Sequence, residues 1–342
     1  MMNMTRPMEM WSLAEVIEEL ENLSTLEAVL DETGLLDILA CDVEDVTVLA
    51  PTNDAFGNVD AKFATDPQWI LHLVDILFKH VVEGVAESGD LSDGLMLPTA
   101  QGENITVAVT TEVCFSPSAT GSACTETVDL PAANGIVHVI DDVLVPLWTG
   151  TSLRDYIASE ADFSTLDALV TCANLTLGDP AITLFAPTND ALMDANATFL
   201  CSDEGLPMLT EILAYHVVPS VLPSILIPEG MEMIETAQGQ DLTLLLCDTL
   251  TVNDIDVLMA DILVNNGVIH VIDGLLLPPP EEEMSATEAP SEETKSTKAA
   301  KAAKACKAKA EESTESPMPR STKSPKSTKS PAPTPMVRRN RH

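Results

Sequence analysis

Apolar positions along the chain concentrate in two phrases that repeat almost letter for letter. Asn134-Gly135-Ile136-Val137-His138-Val139-Ile140-Asp141 returns as Asn266-Gly267-Val268-Ile269-His270-Val271-Ile272-Asp273. Asn-Gly ahead of a β-branched run predicts a tight turn feeding a strand. Apolar side chains flank both His138 and His270, so each strand is expected to be buried on both faces. A short apolar run ending in Pro146 or Pro278 closes each unit.

Polar positions punctuate the chain in the same order twice. Ser12-Leu13-Ala14-Glu15 and Ser24-Thr25-Leu26-Glu27 match Ser152-Leu153-Arg154-Asp155 and Ser164-Thr165-Leu166-Asp167, both at one common offset. Every one of them predicts a helix start closed by a capping box. Thr47-Val48-Leu49-Ala50-Pro51-Thr52-Asn53-Asp54 returns at a slightly shorter offset as Thr183-Leu184-Phe185-Ala186-Pro187-Thr188-Asn189-Asp190. Its apolar part predicts a strand stopped by proline, with Thr-Asn-Asp as N-cap of the next helix. Ile70, Leu73, Val74 and Leu77 then share a helical face that His80 continues, and Leu206, Leu209 and Leu213 lead likewise to His216. Thr99-Ala100-Gln101-Gly102 and Thr236-Ala237-Gln238-Gly239 each precede a strand, 105–109 and 242–246. The changes in offset fall between elements, where a shared fold tolerates insertions. The chain is a duplication.

Three of these blocks in order, Thr183-Leu184-Phe185-Ala186-Pro187-Thr188-Asn189-Asp190-Ala191, Tyr215-His216-Val217-Val218-Pro219 and the Asn-Gly-Val-Ile-His-Val-Ile-Asp phrase, resemble the fasciclin domain. The likeness covers residues 11–278 as two tandem copies. It implies an α+β fold, a β-sandwich-like wedge with helices packed around one edge, and a role in adhesion without catalysis. The expected organisation is a lead at 1–10, domains at 11–147 and 151–278, a hinge at Trp148-Thr149-Gly150 and a tail at 279–342. So short a hinge predicts a fixed pair. The first copy departs at the tyrosine-histidine block, reading Phe78-Lys79-His80, so a contact that needs Tyr-His is expected of the second copy.

Charge narrows the partners. Residues 1–278 carry four basic residues (Arg6, Lys62, Lys79, Arg154) against 45 acidic ones, whereas the tail carries 13 basic and nine acidic. So acidic a body repels nucleic acid and anionic lipid and attracts cations. No apolar run approaches the roughly 20 residues that a membrane-crossing helix needs, so no transmembrane helix is expected. Residues 1–10 lack the apolar stretch of a secretory signal. The final Arg338-Arg339-Asn340-Arg341-His342 lacks the hydrophobic tail of a glycolipid anchor.

The candidate chemistry is sparse. His80 and His216 at helix ends read either as core residues satisfied by backbone carbonyls or, with Tyr215, as a partner contact. His138 and His270 read as core, and Asn53 and Asn189 as structural. In fasciclin domains an Asp-Ile pair before the last strand is associated with integrin contact. Asp261-Ile262 occupies that region, with Val128-Asp129 its loose counterpart. No nucleophile elbow, phosphate loop, zinc motif or calcium loop occurs, so neither catalysis nor a cofactor or metal is expected.

Cysteines and sequons point outside the cell. Cys114 and Cys124 flank a Ser/Pro/Gly turn and are a candidate disulfide, as are Cys172 and Cys201, with buried thiols the alternative. Asn-x-Ser/Thr occurs at Asn3, Asn22, Asn104, Asn174 and Asn196. The tail has almost no apolar residue larger than Ala and spaces its lysines by three (Lys295 to Lys307, Lys323 to Lys329), which predicts disorder. Its Lys/Ser repeats resemble those of silaffins, implying silica or polyanion binding. The expected protein is extracellular or wall-associated. It would bind surface or matrix proteins and glycans through its domains and be tethered by the tail; an acidic ion-binding or mineral-matrix protein is the alternative.

Overall fold

The computed structural model describes residues 7–41, 45–117, 121–178 and 181–279. The expected disordered, silaffin-like tail and the sequon at Asn3 lie outside the described residues.

The two Asn-Gly phrases become the central strands. In the first domain the strands are β1 (Val46–Pro51), β2 (Val81–Glu83), β3 (Met96–Pro98), β4 (Asn104–Val109), β5 (Val113–Pro117), β6 (Ala123–Ala132) and β7 (Gly135–Ile140). They form one sheet in the order β2-β1-β7-β6-β5-β4-β3. The second domain repeats it with β8 (Ile182–Pro187), β9 (Val217–Val218), β10 (Gly230–Glu235), β11 (Asp241–Leu246), β12 (Leu250–Val252), β13 (Ile255–Val264) and β14 (Gly267–Ile272), in the order β10-β11-β12-β13-β14-β8-β9. Only the β1–β7 and β8–β14 pairings are parallel among these ladders, the first running from Val46↔Gly135 to Pro51↔Ile140. Pro51 and Pro187 are the last residues of their strands, as a residue without an amide hydrogen should be.

Each sheet curls until its edges meet. The Thr-Ala-Gln-Gly turns make the closure: the Ala100 amide donates to Val81 O at 2.8 Å and the Ala237 amide to Val217 O at 2.7 Å. The wedge implied by the resemblance is therefore one seven-stranded sheet, nearly closed, and the class is α+β.

Helices cover the outer face. In the first domain α1 (Leu13–Glu19), α2 (Ser24–Glu32) and α3 (Leu35–Cys41) pack Leu13, Ile17, Leu26 and Leu30 on Val48, Ala50, Val137 and Val139. The alternate residues Leu49 and Ile140 face inward onto Ile105, Val107 and Phe115. Both faces of β7 and β14 are thus buried along their whole length. Gly135 and Gly267 permit this close packing: a Cβ at Gly267 would lie 1.8 Å from Ile182 O. After β1 come α4 (Ala61–Thr65) and α5 (Ile70–Lys79); the second domain has α6 (Leu153–Ser159), α7 (Ser164–Cys172), α8 (Ala197–Leu200) and α9 (Leu206–Tyr215). The change in offset ahead of the first strand falls at α3, which has no helical counterpart among the described residues after α7.

Two capping expectations are corrected. Ser12 and Ser152 form capping boxes, but Ser24 and Ser164 are already helical and cap nothing. Nor do Asn53 and Asn189 cap the helix that follows them. Asn53 Oδ1 instead accepts the Thr25 amide at 2.8 Å, and its Nδ2 donates to Glu21 O at 3.0 Å. Asn189 does the same with Thr165 at 2.9 Å and Ala161 O at 2.8 Å. The α2 and α7 starts are thus held from the loops after β1 and β8 rather than by the local serines.

Candidate functional site

The histidines are pins inside each domain. His80, at the end of α5, has Nδ1 2.8 Å from Ile76 O and accepts the Leu144 amide on Nε2 at 2.9 Å. His216, at the end of α9, repeats this with Ile212 O at 2.7 Å and the Leu276 amide at 3.1 Å. Nε2 is the acceptor, so Nδ1 carries the proton. Burial pushes both residues down to about 4, so they are neutral at pH 7. His138 and His270 adopt the other tautomer: Nδ1 accepts the Asp129 or Asp261 amide, and Nε2 donates to Ala86 O or Leu222 O at 2.9 Å. Burial lowers His270 as well.

Tyr215 and His216 are not placed to touch a partner. Both are buried, and the Tyr215 hydroxyl donates to Asp241 O at 3.0 Å and accepts from Asn253 Nδ2 at 2.9 Å. The reading of this pair as a surface contact is corrected on that burial: the α9 face that carries them is its core face. In the first domain Lys79 fills the tyrosine's position, fully buried, with Nζ 2.5 Å from Glu103 Oε2.

Asp261 and Ile262 sit where β13 bulges against β14. Asp261 has φ +62°, its Oδ1 accepts the Ser224 amide at 2.7 Å, and its Oδ2 accepts the Ser224 hydroxyl. Asp129 holds Ser88 identically at φ +57°. The counterpart of Asp261-Ile262 is therefore Asp129-Leu130, one residue on from the pair Val128-Asp129 read in the sequence. Ile262 is half-buried against the helical core.

Between the domains lies a site that the motifs did not mark. His72 is buried among Phe63, Trp69 and Trp148, with ring centroids 4.7 Å from Trp69 and 4.9 Å from Trp148. Its Nε2 lies 3.1 Å from both Val264 O and Gly267 O of the second domain. Gln68 Oε1 accepts the Val221 amide at 3.0 Å, and Lys62 Nζ donates to Asn265 O at 3.0 Å. Burial pushes His72 down to about 4. The supposed hinge belongs to this packing: Leu147–Gly150 is a 3₁₀ turn, and Trp148 Nε1 donates to Asp75 at 2.6 Å. The available signal was a second stripe on α5 and the turn before it, Trp69, His72 and Ile76, beside the stripe that leads to His80.

Similarity to known proteins follows the same division. The fasciclin domain profile matches residues 21–146 and 161–278. The chain belongs to the fasciclin family. Human periostin is 31% identical over 243 residues, 68% of this chain and 28% of periostin. Pig transforming growth factor-beta-induced protein ig-h3 is 30% identical over 246 residues, 68% of this chain and 34% of that protein. This fasciclin chain thus spans about a third or less of these relatives. The fasciclin-like arabinogalactan protein CTB11 of Cercospora beticola is 25% identical over 78% of this chain and 76% of its own length.

In this fasciclin pair the structure joins Cys114 to Cys124 across the β5–β6 hairpin and Cys172, ending α7, to Cys201, just after α8. The sequon residues Asn22, Asn104, Asn174 and Asn196 are all exposed or half-buried at the surface. Among the described residues no helix is long and apolar enough to cross a membrane.

Proposed function

We propose that this fasciclin chain is a non-enzymatic adhesion or matrix protein of the cell surface, wall or extracellular space. The observation that carries the reading is its family: two fasciclin domains, in a chain similar to periostin and to fasciclin-like arabinogalactan proteins. Surface sequons and the Cys114–Cys124 and Cys172–Cys201 disulfides suit an oxidising compartment. Protein or glycan partners would meet the domain surfaces, with Asp261 and Ile262 the candidates for contact. The basic tail would tether the pair to anionic or mineral material through many weak contacts.

The charge of residues 1–278 favours one other reading, an acidic ion-binding or matrix-assembly protein without a specific receptor. The test is the intact mass of the natively purified protein before and after deglycosylation and reduction, followed by binding of cells and matrix to the coated protein. Glycan mass, disulfides and cation-independent binding are the expected results. Free thiols without glycan would place the chain in a reducing compartment and sink the adhesion reading. Binding that tracks only divalent cations and total charge would favour the alternative.

A further inference from the structure

The duplication places the two halves of one interface on both domains, and only one copy of each half is used inside the chain. The first domain meets the second through Phe63, Trp69, His72 and Ile76, here the donor face. The second receives it on Val221, Val268 and the β13–β14 turn, the acceptor face. The offset that carries α4 onto α8 and α5 onto α9 turns Phe63 and His72 into Phe199 and Met208, and puts Met193 at the position of Gly57, which is itself exposed. Phe63 and His72 are 6% and 0% exposed; Phe199, Met208 and Met193 are 41%, 50% and 78% exposed. At Met193, Phe199 and Met208 the second domain is thus apolar and uncovered, whereas Ile212, the counterpart of Ile76, is buried in its own core and Gly205 stands for Trp69.

The acceptor half shows the reverse asymmetry. Val221 is 2% exposed, whereas its counterpart Val85 is 45% exposed. Val268 corresponds to Ile136, which is 8% exposed and so differs little, and the turn of Val264 to Gly267 corresponds to that of Ala132 to Gly135. The Asn265 amide bonds Thr151 O just as the Ala133 amide bonds Trp11 O. The segment before Trp11 therefore stands where the Trp148 turn stands, and it presents an exposed Met10. Even the polar rim has a replacement, since Glu204 stands at the position of Gln68, the acceptor for the Val221 amide.

We propose that a second copy of this chain docks its first-domain acceptor face on the Met193, Phe199 and Met208 face, repeating between molecules the contact made within one. The occupant is argued from the internal interface itself, which already shows a fasciclin domain of this chain seated on the equivalent surface. Such a contact joins different faces, so it is heterologous and propagates head to tail rather than closing as a symmetric dimer. It is weaker than the internal one, because Met208 cannot donate as His72 does and Thr198 replaces Lys62. The excess of carboxylates opposes it at long range, so screening by salt strengthens it. This inference is independent of what the surface adheres to.

The experiment is sedimentation of the full chain over a concentration series at low and moderate salt, with Met208→Glu and Val85→Asp. Both positions are exposed, so each variant should keep the parent's unfolding midpoint. Met193→Glu and Met10→Glu supply a second pair should one of the first fail to fold. The expected result is an average mass that climbs with concentration and with salt, and that falls to monomer in either variant alone. Mixing the two variants should restore a one-to-one dimer that grows no further, because each then lends its one intact face. A chain that stays monomeric throughout, as when its own residues 280–342 fill the face, overturns the proposal. So does association that weakens as salt rises, that survives either variant, or that is not rescued by mixing.

Discussion

Lys79 Nζ lies 2.5 Å from Glu103 Oε2 inside the first domain, in the position where the second domain places the Tyr215 hydroxyl. The same structural slot is filled by an ion pair in one copy and by a neutral hydrogen-bonded phenol in the other. An ion pair gains little over a well-packed neutral group, but a buried ammonium stripped of its partner is costly.

Glu103→Ala should therefore destabilise the protein by about 3–5 kcal/mol, while Lys79→Met with Glu103→Gln together should cost clearly less than that. Denaturant unfolding of the two variants and the parent checks it. Equal losses would mean that the uncompensated lysine is not the source of the cost.

The histidines set a dependence on pH. His72, His80 and His216 are each held at about 4 in the folded protein, against an ordinary value of 6.5, chiefly by burial. The unfolded chain binds these protons first, so their contribution is complete above pH 6.5 and is lost as pH falls towards 4. Each is worth on the order of 3 kcal/mol over that window. Asp75, raised chiefly by burial, acts in the opposite sense as it takes up a proton. Urea midpoints measured from pH 7.5 down to 4.5 should fall steeply, and His72→Phe should lessen the slope by about one proton.

What the sequence made legible was what repeats. Duplication, the buried strands around His138 and His270, the helix ends at His80 and His216 and the resemblance itself all rest on patterns read twice in register. The interface was not legible because it breaks the repeat: His72 answers to Met208 and Trp69 to Gly205, so comparing the copies discards the residues that differ. Motif reading also takes a Tyr-His pair for a surface feature, whereas the helical face that it shares with Leu209 and Ile212 is the core face. The capping serines misled for a related reason. A capping box is a local pattern, and Asn53 reaches Thr25 from 28 residues away.

That long-range cap gives a sharp contrast. Asn53→Ala should remove the bond to the Thr25 amide and those to Glu21 O and Ser24, and cost about 1–2 kcal/mol. Ser24→Ala, at a position already helical, should cost only a few tenths. Asn189→Ala and Ser164→Ala should reproduce the pair of values in the second domain, as judged by thermal unfolding. Reversal of the order would return the cap to the serine.

Asp261 is tied into the fold, which bears on any binding experiment. Its carboxylate closes the Ser224 loop with two bonds, and its φ of +62° is one that Asn and Asp tolerate better than Ala. Asp261→Ala should therefore destabilise the second domain by about 2–3 kcal/mol through the lost bonds and the backbone conformation together. Asp261→Asn keeps the conformation and an acceptor for the Ser224 amide, and should cost about 1 kcal/mol. Asp129→Ala and Asp129→Asn should behave alike in the first domain. A loss of cell binding seen with Asp261→Asn but not with Asp129→Asn, at matched stability, would place a contact at Asp261. Equal losses that track unfolding midpoints would assign both carboxylates to the fold alone.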